Sequence, residues 1–379
     1  MDNLIYPHKT YRIDSAMNIK EISLKNFRNY EDETIKFQEG LNVIVGNNAM
    51  GKTNLLESIY CCAIGKSPKT TKYKDLIRMG QQAASIRIVL QKKYRDHVIE
   101  FYVDNKETKR IKIDGVPLSK LKELVGYMNI IFFSPEEIKM VKEGPSERRK
   151  FIDISLSQQS KNYLFSLSKY NEILANRNKL LKENFRDENI KEMLVIWDSQ
   201  LAKEGANIIK KRYEFIEKLK IAAKDAHNKL TNNKEDLEIE YESIVSNKSI
   251  EEIQKEIEQK LIDSADKDIS LQYTSVGPHR DDIAIISNKI DIRKFGSQGQ
   301  QRTCALSLKM AEISLFEDEI KEKPILLLDD VLSELDETRR NKLMELSSQL
   351  QTMITCTDFD MDIPHNEIRI QNGQQINKN

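Results

Sequence analysis

Residues 46–53 read GNNAMGKT, and this stretch decides the fold that we expect for the chain. The spacing of Gly46, Gly51, Lys52 and Thr53 matches the phosphate-binding loop, or P-loop. The preceding residues, LNVIV (41–45), form an apolar, β-branched run that is typical of a buried strand. The segment that follows carries apolar side chains at helical spacing. The sequence therefore predicts a strand, a glycine-rich turn and a helix in the order that a phosphate cradle requires.

The residue types of this loop suit a nucleotide. Backbone N–H groups at a helix N-terminus point toward a bound anion. Lys52 would reach the β- and γ-phosphates and contribute to catalysis, and the Thr53 hydroxyl would bind Mg²⁺. A chance glycine-rich turn is the alternative, and the flanking strand and helix argue against it. The expected nucleotide-binding residues of the loop are Gly46, Asn47, Asn48, Ala49, Met50, Gly51, Lys52, Thr53 and Asn54.

Composition narrows the class of protein. The chain has 379 residues, enough for one large domain with an insertion or for two to three domains. Its 60 basic and 60 acidic residues give zero net charge, which supplies no argument for nucleic-acid binding. The four cysteines lack C-x-x-C spacing, and no membrane-length apolar run or signal peptide is evident, so we expect reduced thiols in a cytoplasmic protein. Residues 1–16 are expected to be an extension outside the fold.

The order of patterns along the chain predicts one α/β domain that is interrupted by a helical arm. Residues 84–90, 97–103 and 109–113 alternate like antiparallel strands. Apolar residues at seven-residue intervals from Leu194 to Ala222 favour long packed helices, with a hairpin at 183–190. Strand-like patterns return at 269–275 and 282–287. We therefore expect the N-terminal part of a nucleotide-binding head at 17–140, a helical arm at 141–270 and the C-terminal part of the head at 271–379.

A second motif, PILLLDD (324–330), completes the expected nucleotide site. The apolar run would form a buried strand that ends at Asp329, next to the P-loop in a parallel sheet. There the carboxylate of Asp329 would hold Mg²⁺, and Asp330 would orient or deprotonate an attacking water. Taken alone, the segment could also be an ordinary core strand that ends in polar residues.

A third motif, FGSQGQQR (295–302), opens a helix about thirty residues before that strand, and SELD (333–336) follows it. Ser297, Gly299 and the helix N-terminus would form a second anion-binding end. A single subunit has no obvious use for two such ends on one nucleotide. A head-to-tail pair of subunits does, because one can supply the P-loop and the other the Ser-Gln-Gly helix end.

These motifs together resemble the RecF proteins of bacterial recombinational repair, which are ABC-type ATPases of the SMC kind. The resemblance implies an α/β fold: an ABC-type P-loop ATPase head with an antiparallel β subdomain, interrupted by an α-helical arm. It also implies that FGSQGQQR is the signature motif and SELD the D-loop. The matching segments are LKNFRNY (24–30), GNNAMGKTNLLESIY (46–60), SPEEIKMVKEGPSERRKFID (134–153), TSVGPHRDD (274–282), GSQGQQR (296–302) and LLLDDVLSELD (326–336).

The resemblance also implies a function. It implies an ATP- and Mg²⁺-dependent protein that forms a homodimer around ATP and binds DNA at gaps and single-strand/double-strand junctions. Such a protein helps to load recombinase with RecO and RecR, and acts in DNA repair, replication-fork maintenance and the SOS response. ATP hydrolysis is expected to be slow and to reset a switch. Asp330 stands where most ABC ATPases carry Glu, which leaves its role as a direct base open.

Further residues are assigned by resemblance. Lys52, Thr53 and Asp329 would hold ATP and Mg²⁺, while Ser297, with Gln298 and Gly299, would reach the γ-phosphate in the partner subunit. Arg28 and Asn29 either contact the nucleotide or form a surface turn. No glutamine loop or switch histidine is evident, and the candidates in their places are Glu136 or Glu137 and Thr357 or Asp358.

Two open points concern charged residues near the arm. The cluster Arg148, Arg149 and Lys150 could contact DNA phosphates or form a solvated helix face, and the lysines between 66 and 74 could face DNA or aid solubility. His279 is expected to have a structural role where the arm rejoins the head, because one His with adjacent carboxylates does not guarantee a metal site.

Other functions fit the motifs less well. A P-loop enzyme that phosphorylates a small molecule would leave FGSQGQQR unexplained. An SMC-like nuclease would need an acidic nuclease domain after Asp330, and a bridging ATPase would need longer coiled coils.

Overall fold

The structure is a computed structural model that describes residues 17–376. The extension expected at 1–16 lies outside these residues. Within them, no helix has the length and apolar character that crossing a bilayer requires.

The chain alternates between strands and helices in the order that the sequence predicts for most segments. The strands are β1 (Asn18–Phe27), β2 (Tyr30–Lys36), β3 (Leu41–Val45), β4 (Ala83–Gln91), β5 (Asp96–Asp104), β6 (Lys109–Ile113), β7 (Val116–Pro117), β8 (Ile130–Phe133), β9 (Leu237–Glu242), β10 (Asp282–Ser287), β11 (Ile290–Asp291), β12 (Ile325–Asp329), β13 (Thr352–Cys356), β14 (Asn366–Gln371) and β15 (Gln374–Ile376). The helices are α1 (Lys52–Ile64), α2 (Lys139–Lys142), α3 (Pro145–Gln159), α4 (Lys161–Glu183), α5 (Ile190–Thr231), α6 (Ile250–Asp263), α7 (Ala265–Leu271), α8 (Ile292–Phe295), α9 (Gln298–Ile320) and α10 (Glu337–Ser347).

A central sheet with the order β15-β14-β3-β13-β12-β8 carries the two nucleotide motifs. All its pairings are parallel except that of β14 with β15. Every residue of β12 is buried, because α1 covers one face of the sheet and α9 and α10 cover the other. Ile325 and Leu327 pack in the cluster that contains α1, and Leu326 and Leu328 pack in the cluster that contains α9.

A second sheet, which we call the outer sheet, is antiparallel and has the order β2-β1-β4-β5-β6-β7. Its strands alternate as the sequence predicts: Ile86 and Ile88 are buried, while Arg87 between them is exposed. The buried face packs against α1, so that the P-loop helix is enclosed between two sheets. The opposite face of the outer sheet is accessible to solvent.

Residues 141–270 are mainly helical, and α4 and α5 form the hairpin that the sequence predicts. The seven-residue repeat on α5 is buried from Leu194 to Phe215. Two features were not predicted. Strand β9 lies within this segment and pairs with β10, and Arg177 and Arg212 are buried among the apolar side chains. Arg177 pairs with Asp198 and Asp268, so these helices also bury ionic networks.

The strand expected at 269–275 is wrong, because α7 ends at Leu271. Asp266 and Asp268 lie in the first turn of α7, where carboxylates favour a helix N-terminus. The helix also turns Asp268 inward to Arg177. The short run ISLQYTS lacked the length to distinguish the two structures.

Neither role expected for Arg148 is correct. This side chain is 3% exposed and donates two hydrogen bonds to Asp282, which opens β10. It therefore ties α3 to the sheet of β9, β10 and β11. Lys150 lies on the exposed side of α3, 3.5 Å from Glu147.

His279 supports the structural role that the sequence predicts. The Tyr170 hydroxyl donates to its Nδ1 at 2.6 Å, and its Nε2–H donates to the Thr274 carbonyl at 3.1 Å, the tautomer being assigned from these partners. Burial lowers the pKa of His279 to about 4.

The low pKa of His279 predicts a loss of stability in mild acid. The unfolded state, with a pKa near 6.5, takes up the proton first, so the stability that the neutral ring contributes falls as the pH drops from about 6.5 toward 4. We expect about 2 kcal/mol of the unfolding free energy to be lost through this residue between pH 7 and pH 5. Urea unfolding at pH 7 and pH 5 measures this difference in the free energy of unfolding. The His279→Gln variant should lose about 2 kcal/mol less than the wild type, and equal losses would contradict the assignment.

Candidate nucleotide-binding site

The P-loop connects β3 to α1, as the sequence predicts. The chain turns at Ala49 and Gly51, which have φ angles of 66° and 110°. Gly46 is needed for a different reason, since a Cβ at this position would lie 2.3 Å from the carbonyl oxygen of Ile370 on β14. The loop is therefore seated directly on the neighbouring strand, with the N-terminus of α1 open above it.

Lys52 is the first residue of α1 and is only 7% exposed. Its ammonium group donates to the backbone carbonyls of Gly46 and Asn47, the latter at 3.0 Å. These contacts hold the cation within the curve of the loop. A phosphate there would gain a charge-assisted hydrogen bond from a group that is already in place.

Asp329 reaches the P-loop helix from β12. The Thr53 hydroxyl donates to Asp329 Oδ1 at 2.7 Å, and the Thr355 hydroxyl donates to the same oxygen at 2.9 Å. Asp329 thus lies next to the P-loop as the sequence predicts, although β13 separates its strand β12 from the P-loop strand β3. The carboxylate spans that gap through Thr53. Lys69 Nζ lies 4.0 Å from the other carboxylate oxygen.

Asp330 leaves the strand in the left-handed region, with φ of 53°. Its N–H donates to the Thr355 hydroxyl at 2.9 Å, so Thr355 fixes both acidic residues. A cavity of about 120 Å³ lies between Asp330, Thr355 and the P-loop from Asn48 to Asn54. The structure therefore brings Asp330 and the P-loop to one cavity, and Asp329 contacts the P-loop helix through Thr53.

The residues present fit Mg²⁺ and a nucleotide phosphate. The Thr53 hydroxyl and the Asp329 carboxylate are hard oxygen ligands that already share a hydrogen bond. Residues 17–376 contain no cluster of three or more His, Cys, Asp or Glu that could hold a metal alone. Proteins commonly bind Mg²⁺ through one or two carboxylates together with phosphate and water. When bound, the ion would neutralise phosphate charge.

Arg28 and Asn29, in the turn between β1 and β2, contact helix α1 and the P-loop respectively. The Arg28 guanidinium donates to both oxygens of the buried Glu57 carboxylate, at 2.9 and 2.7 Å. Asn29 donates to the Met50 carbonyl at 3.0 Å and accepts from the Asn54 amide at 2.8 Å. Asn29 therefore holds the P-loop and Arg28 holds the helix α1 that follows it, while a contact of either residue with the nucleotide stays a prediction.

Ser297, Gln298 and Gly299 form an exposed helix end that lies outside this cavity. Ser297 caps α9: its hydroxyl accepts from the Gln300 N–H, and the Gln300 side chain accepts from the Ser297 N–H. A Cβ on Gly299 would meet no heavy atom within 4 Å. The chain therefore holds a preformed, open helix N-terminus that its own P-loop does not use.

Lys309 lies further along α9 and connects that helix to the segment after β8. Its ammonium group lies 3.5 Å from Glu137 and 3.1 Å from Glu312. Burial raises the pKa of Glu312, and Lys309 opposes this shift. Glu137 thus lies in contact with α9, and its role as a glutamine-loop equivalent stays a prediction, as do those of Thr357 and Asp358.

Sequence reasoning missed two parts of the site. Thr355 is a polar residue at the C-terminal end of an apolar strand, a signal that could have been found. The second is the turn Asn372-Gly373 between β14 and β15, whose Asn-Gly dipeptide is a hairpin signal. The Gly373 N–H donates to the Met50 carbonyl at 2.9 Å, so this turn supports the P-loop at Met50.

Comparisons with known proteins agree with this geometry. The model of the RecF/RecN/SMC N terminal domain family matches residues 18–369. The DNA replication and repair protein RecF of Lachnoclostridium phytofermentans is 44% identical over 91% of this chain and 94% of its own length. The RecF of Agathobacter rectalis is 45% identical over 91% of this chain and 93% of its own length.

Solved structures show the same relationship. The recombination mediator protein RecF with ATP, from the RecFOR pathway, superposes with a TM-score of 0.90 at 37% identity, over 98% of this chain and 100% of that one. The Smc head domain of Pyrococcus furiosus superposes with a TM-score of 0.55 at 18% identity, over 95% of each chain, which shows a shared fold alone. The ABC-type head fold that the sequence predicts is thereby confirmed. By its sequence, its fold and its P-loop site, the chain belongs to the RecF family of DNA replication and repair proteins.

Proposed function

We propose that this chain is an ATP-switched DNA-binding protein of recombinational repair that forms a head-to-tail dimer around ATP. The observation that carries the proposal is the separation of two half-sites. The P-loop, Asp330 and Thr355 line one cavity, and Asp329 is hydrogen-bonded to Thr53 beside it, while the capped helix end at Ser297 is exposed outside it. In a head-to-tail pair, the Ser297 end of each subunit would close the cavity of the other.

Within this dimer, each residue has a distinct role. Lys52 and the N–H groups of the P-loop bind the phosphates, and Thr53 and Asp329 hold Mg²⁺. Asp330 lines the cavity and orients or deprotonates the attacking water. Its short side chain is compatible with the slow hydrolysis expected of a switch. Ser297, with Gln298 and Gly299, contacts the γ-phosphate of the nucleotide on the partner.

The proposed partners follow from the family. The solved RecF structures come from the RecFOR pathway, which supports RecO and RecR as protein partners of this chain. We propose that the dimer binds gapped DNA, helps to load recombinase and maintains replication forks in the cytoplasm. Residues 141–270 would act as an arm beside the head.

The proposed switch predicts that DNA binding requires ATP and is sensitive to salt. Fluorescence anisotropy with labelled gapped DNA should show tight binding with ATP and Mg²⁺ and weak binding without ATP. The affinity should fall linearly with salt on a double-logarithmic plot, because phosphate contacts release counterions. DNA affinity that is the same with and without ATP would contradict the proposal.

The turn at Gly373 provides a separate test of the P-loop geometry. This residue has φ of 76°, and a Cβ would lie 2.4 Å from the Asn29 carbonyl oxygen. We expect Gly373→Ala to weaken ATP binding by about fivefold or more, because it displaces the hydrogen bond to Met50. Isothermal titration with ATP measures this effect.

Gly80→Ala is the matched control for this variant. Gly80 has φ of 83°, but a Cβ there meets no heavy atom within 4 Å. The Gly80→Ala variant should lose about as much stability from backbone strain as Gly373→Ala does, and it should keep the ATP affinity of the wild type. If Gly373→Ala binds ATP as tightly as Gly80→Ala, the turn does not support the loop.

A further inference from the structure

The solvent-facing side of the outer sheet carries a groove of about 420 Å³ that no part of the nucleotide site uses. It crosses β1, β4, β5 and β6, with β2 at its edge. The charged side chains that line it are Lys25, Arg87, Arg110, Lys112, Asp32 and Glu100. Four cations and two carboxylates give the lining of this groove a net charge of +2, although the whole chain is neutral.

The strand register arranges these side chains in two rows. In the first row, Asp32 lies opposite Lys25, Lys25 opposite Ser85, Ser85 opposite Tyr102, and Tyr102 opposite Arg110, and the row from Lys25 to Arg110 carries the ring. At the usual strand spacing, this row spans about 14 Å. It therefore places an aromatic ring between two cations on a rigid surface.

The second row runs beside the first and is partly neutralised. Arg87 lies opposite Glu100, and Glu100 lies opposite Lys112. Arg87 is also 3.8 Å from Glu21. Asp32 and Glu100 lie opposite Lys25 and Lys112 in the register, yet no carboxylate in the described part of the chain lies within ion-pair distance of Lys25, Arg110 or Lys112. These three exposed cations are available to an anionic partner.

Tyr102 gives the surface its chemical specificity. Its side chain is half-buried, and the Arg110 guanidinium lies over its ring at 5.7 Å from the centroid. An aromatic ring on a sheet face, flanked by cations, is an arrangement on which an unpaired base stacks while its phosphates meet the cations. A protein partner fits less well, because the row lacks the exposed aliphatic side chains of an interface core.

We propose that this groove binds single-stranded nucleic acid, with a base stacked on Tyr102 and phosphates held by Lys25 and Arg110. The inference rests on the DNA binding proposed above and deepens it by assigning a surface to the unpaired strand. Duplex DNA cannot stack its paired bases on the ring, so the surface distinguishes single strands from duplexes.

Anisotropy titrations with labelled oligo-dT and a labelled duplex, both with ATP, test the assignment. Tyr102→Ala should bind oligo-dT about five- to a hundredfold more weakly, and Tyr102→Phe should bind nearly as the wild type does. The double variant Lys25→Ala/Arg110→Ala should lower the slope of log affinity against log salt by about 1.4, because two phosphate contacts are lost. All three variants should keep most of their duplex affinity and the melting temperature of the wild type.

Two matched controls lie outside the groove. Tyr94 is an exposed aromatic at the β4–β5 turn of the same sheet, and Lys267 is an exposed cation on α7. Tyr94→Ala and Lys267→Ala should bind oligo-dT as the wild type does.

The outcomes separate this proposal from the broader one. If the wild type binds both DNAs and the groove variants bind oligo-dT like the controls, the groove assignment is overturned and the proposed function stands. The groove assignment is also overturned if the groove variants keep their affinity for oligo-dT and lose affinity only for an acidic protein partner. If the wild type binds neither DNA with ATP, both proposals fail. The charge variant decides the matter even if Tyr102→Ala does not fold.

Discussion

Replacing Lys52 with Met is expected to weaken ATP binding by about a hundredfold or more, equivalent to about 3 kcal/mol. Lys52 is buried within the curve of the P-loop, where it donates to the carbonyls of Gly46 and Asn47. Met has similar length but no charge, so the variant loses the hydrogen bond to phosphate. It also leaves two loop carbonyls without their donor.

Lys74→Met is the matched control, since Lys74 is exposed in the loop between α1 and β4. It should bind ATP as the wild type does. Isothermal titration of both variants, with melting temperatures to confirm folding, makes the comparison. A Lys52→Met variant whose ATP affinity is within threefold of the control (about 0.7 kcal/mol) would show that the loop is not a phosphate cradle.

The second large effect is expected at the other half-site. Ser297→Arg should abolish ATP-dependent dimerisation and leave the ATP affinity of the monomer unchanged. Ser297 is exposed and lies outside the P-loop cavity of its own subunit, so the substitution does not touch that cavity. In the proposed dimer, the long Arg side chain would occupy the space where the partner's γ-phosphate meets the helix end.

Ser249→Arg separates this effect from a loss of helix capping. Ser249 is likewise exposed, and it caps α6 through the same reciprocal hydrogen bonds, here with Glu252. Each variant should lose about 1 kcal/mol of stability from its cap. Only Ser297→Arg should remain monomeric with ATP in light scattering, and loss of dimers in both variants would indicate a general effect on stability.

The sequence predicts the parts of the site whose signals are local. GNNAMGKT lies between a strand and a helix, ILLLD is a buried strand, and FGSQGQQR opens a helix at Ser297. Each of these depends on periodicity or spacing within a few residues, which is where sequence patterns carry the most information.

The parts that the sequence did not reveal depend on contacts between distant segments. Gly373 meets Met50 only because β14 pairs with β3, and Thr355 meets Asp329 only because β13 pairs with β12. Arg177 looks like an ordinary exposed residue of an amphipathic helix until Asp198 and Asp268 are placed around it. No local pattern specifies such pairings, since they arise from the packing of the whole fold.

The central claim is that ATP is held between the P-loop of one subunit and the Ser297 helix end of the other. Mixing the two defective variants tests it most directly. Lys52→Met retains an intact helix end, and Ser297→Arg retains an intact P-loop, so together they can build one complete site. Light scattering is carried out with a slowly hydrolysed ATP analogue and concentrated protein.

Each variant alone should remain a monomer of 44.1 kDa, and the mixture should contain a species of twice that mass. Dimers in Ser297→Arg alone would contradict the shared site. So would a mixture that stays monomeric at concentrations where the wild type is fully dimeric.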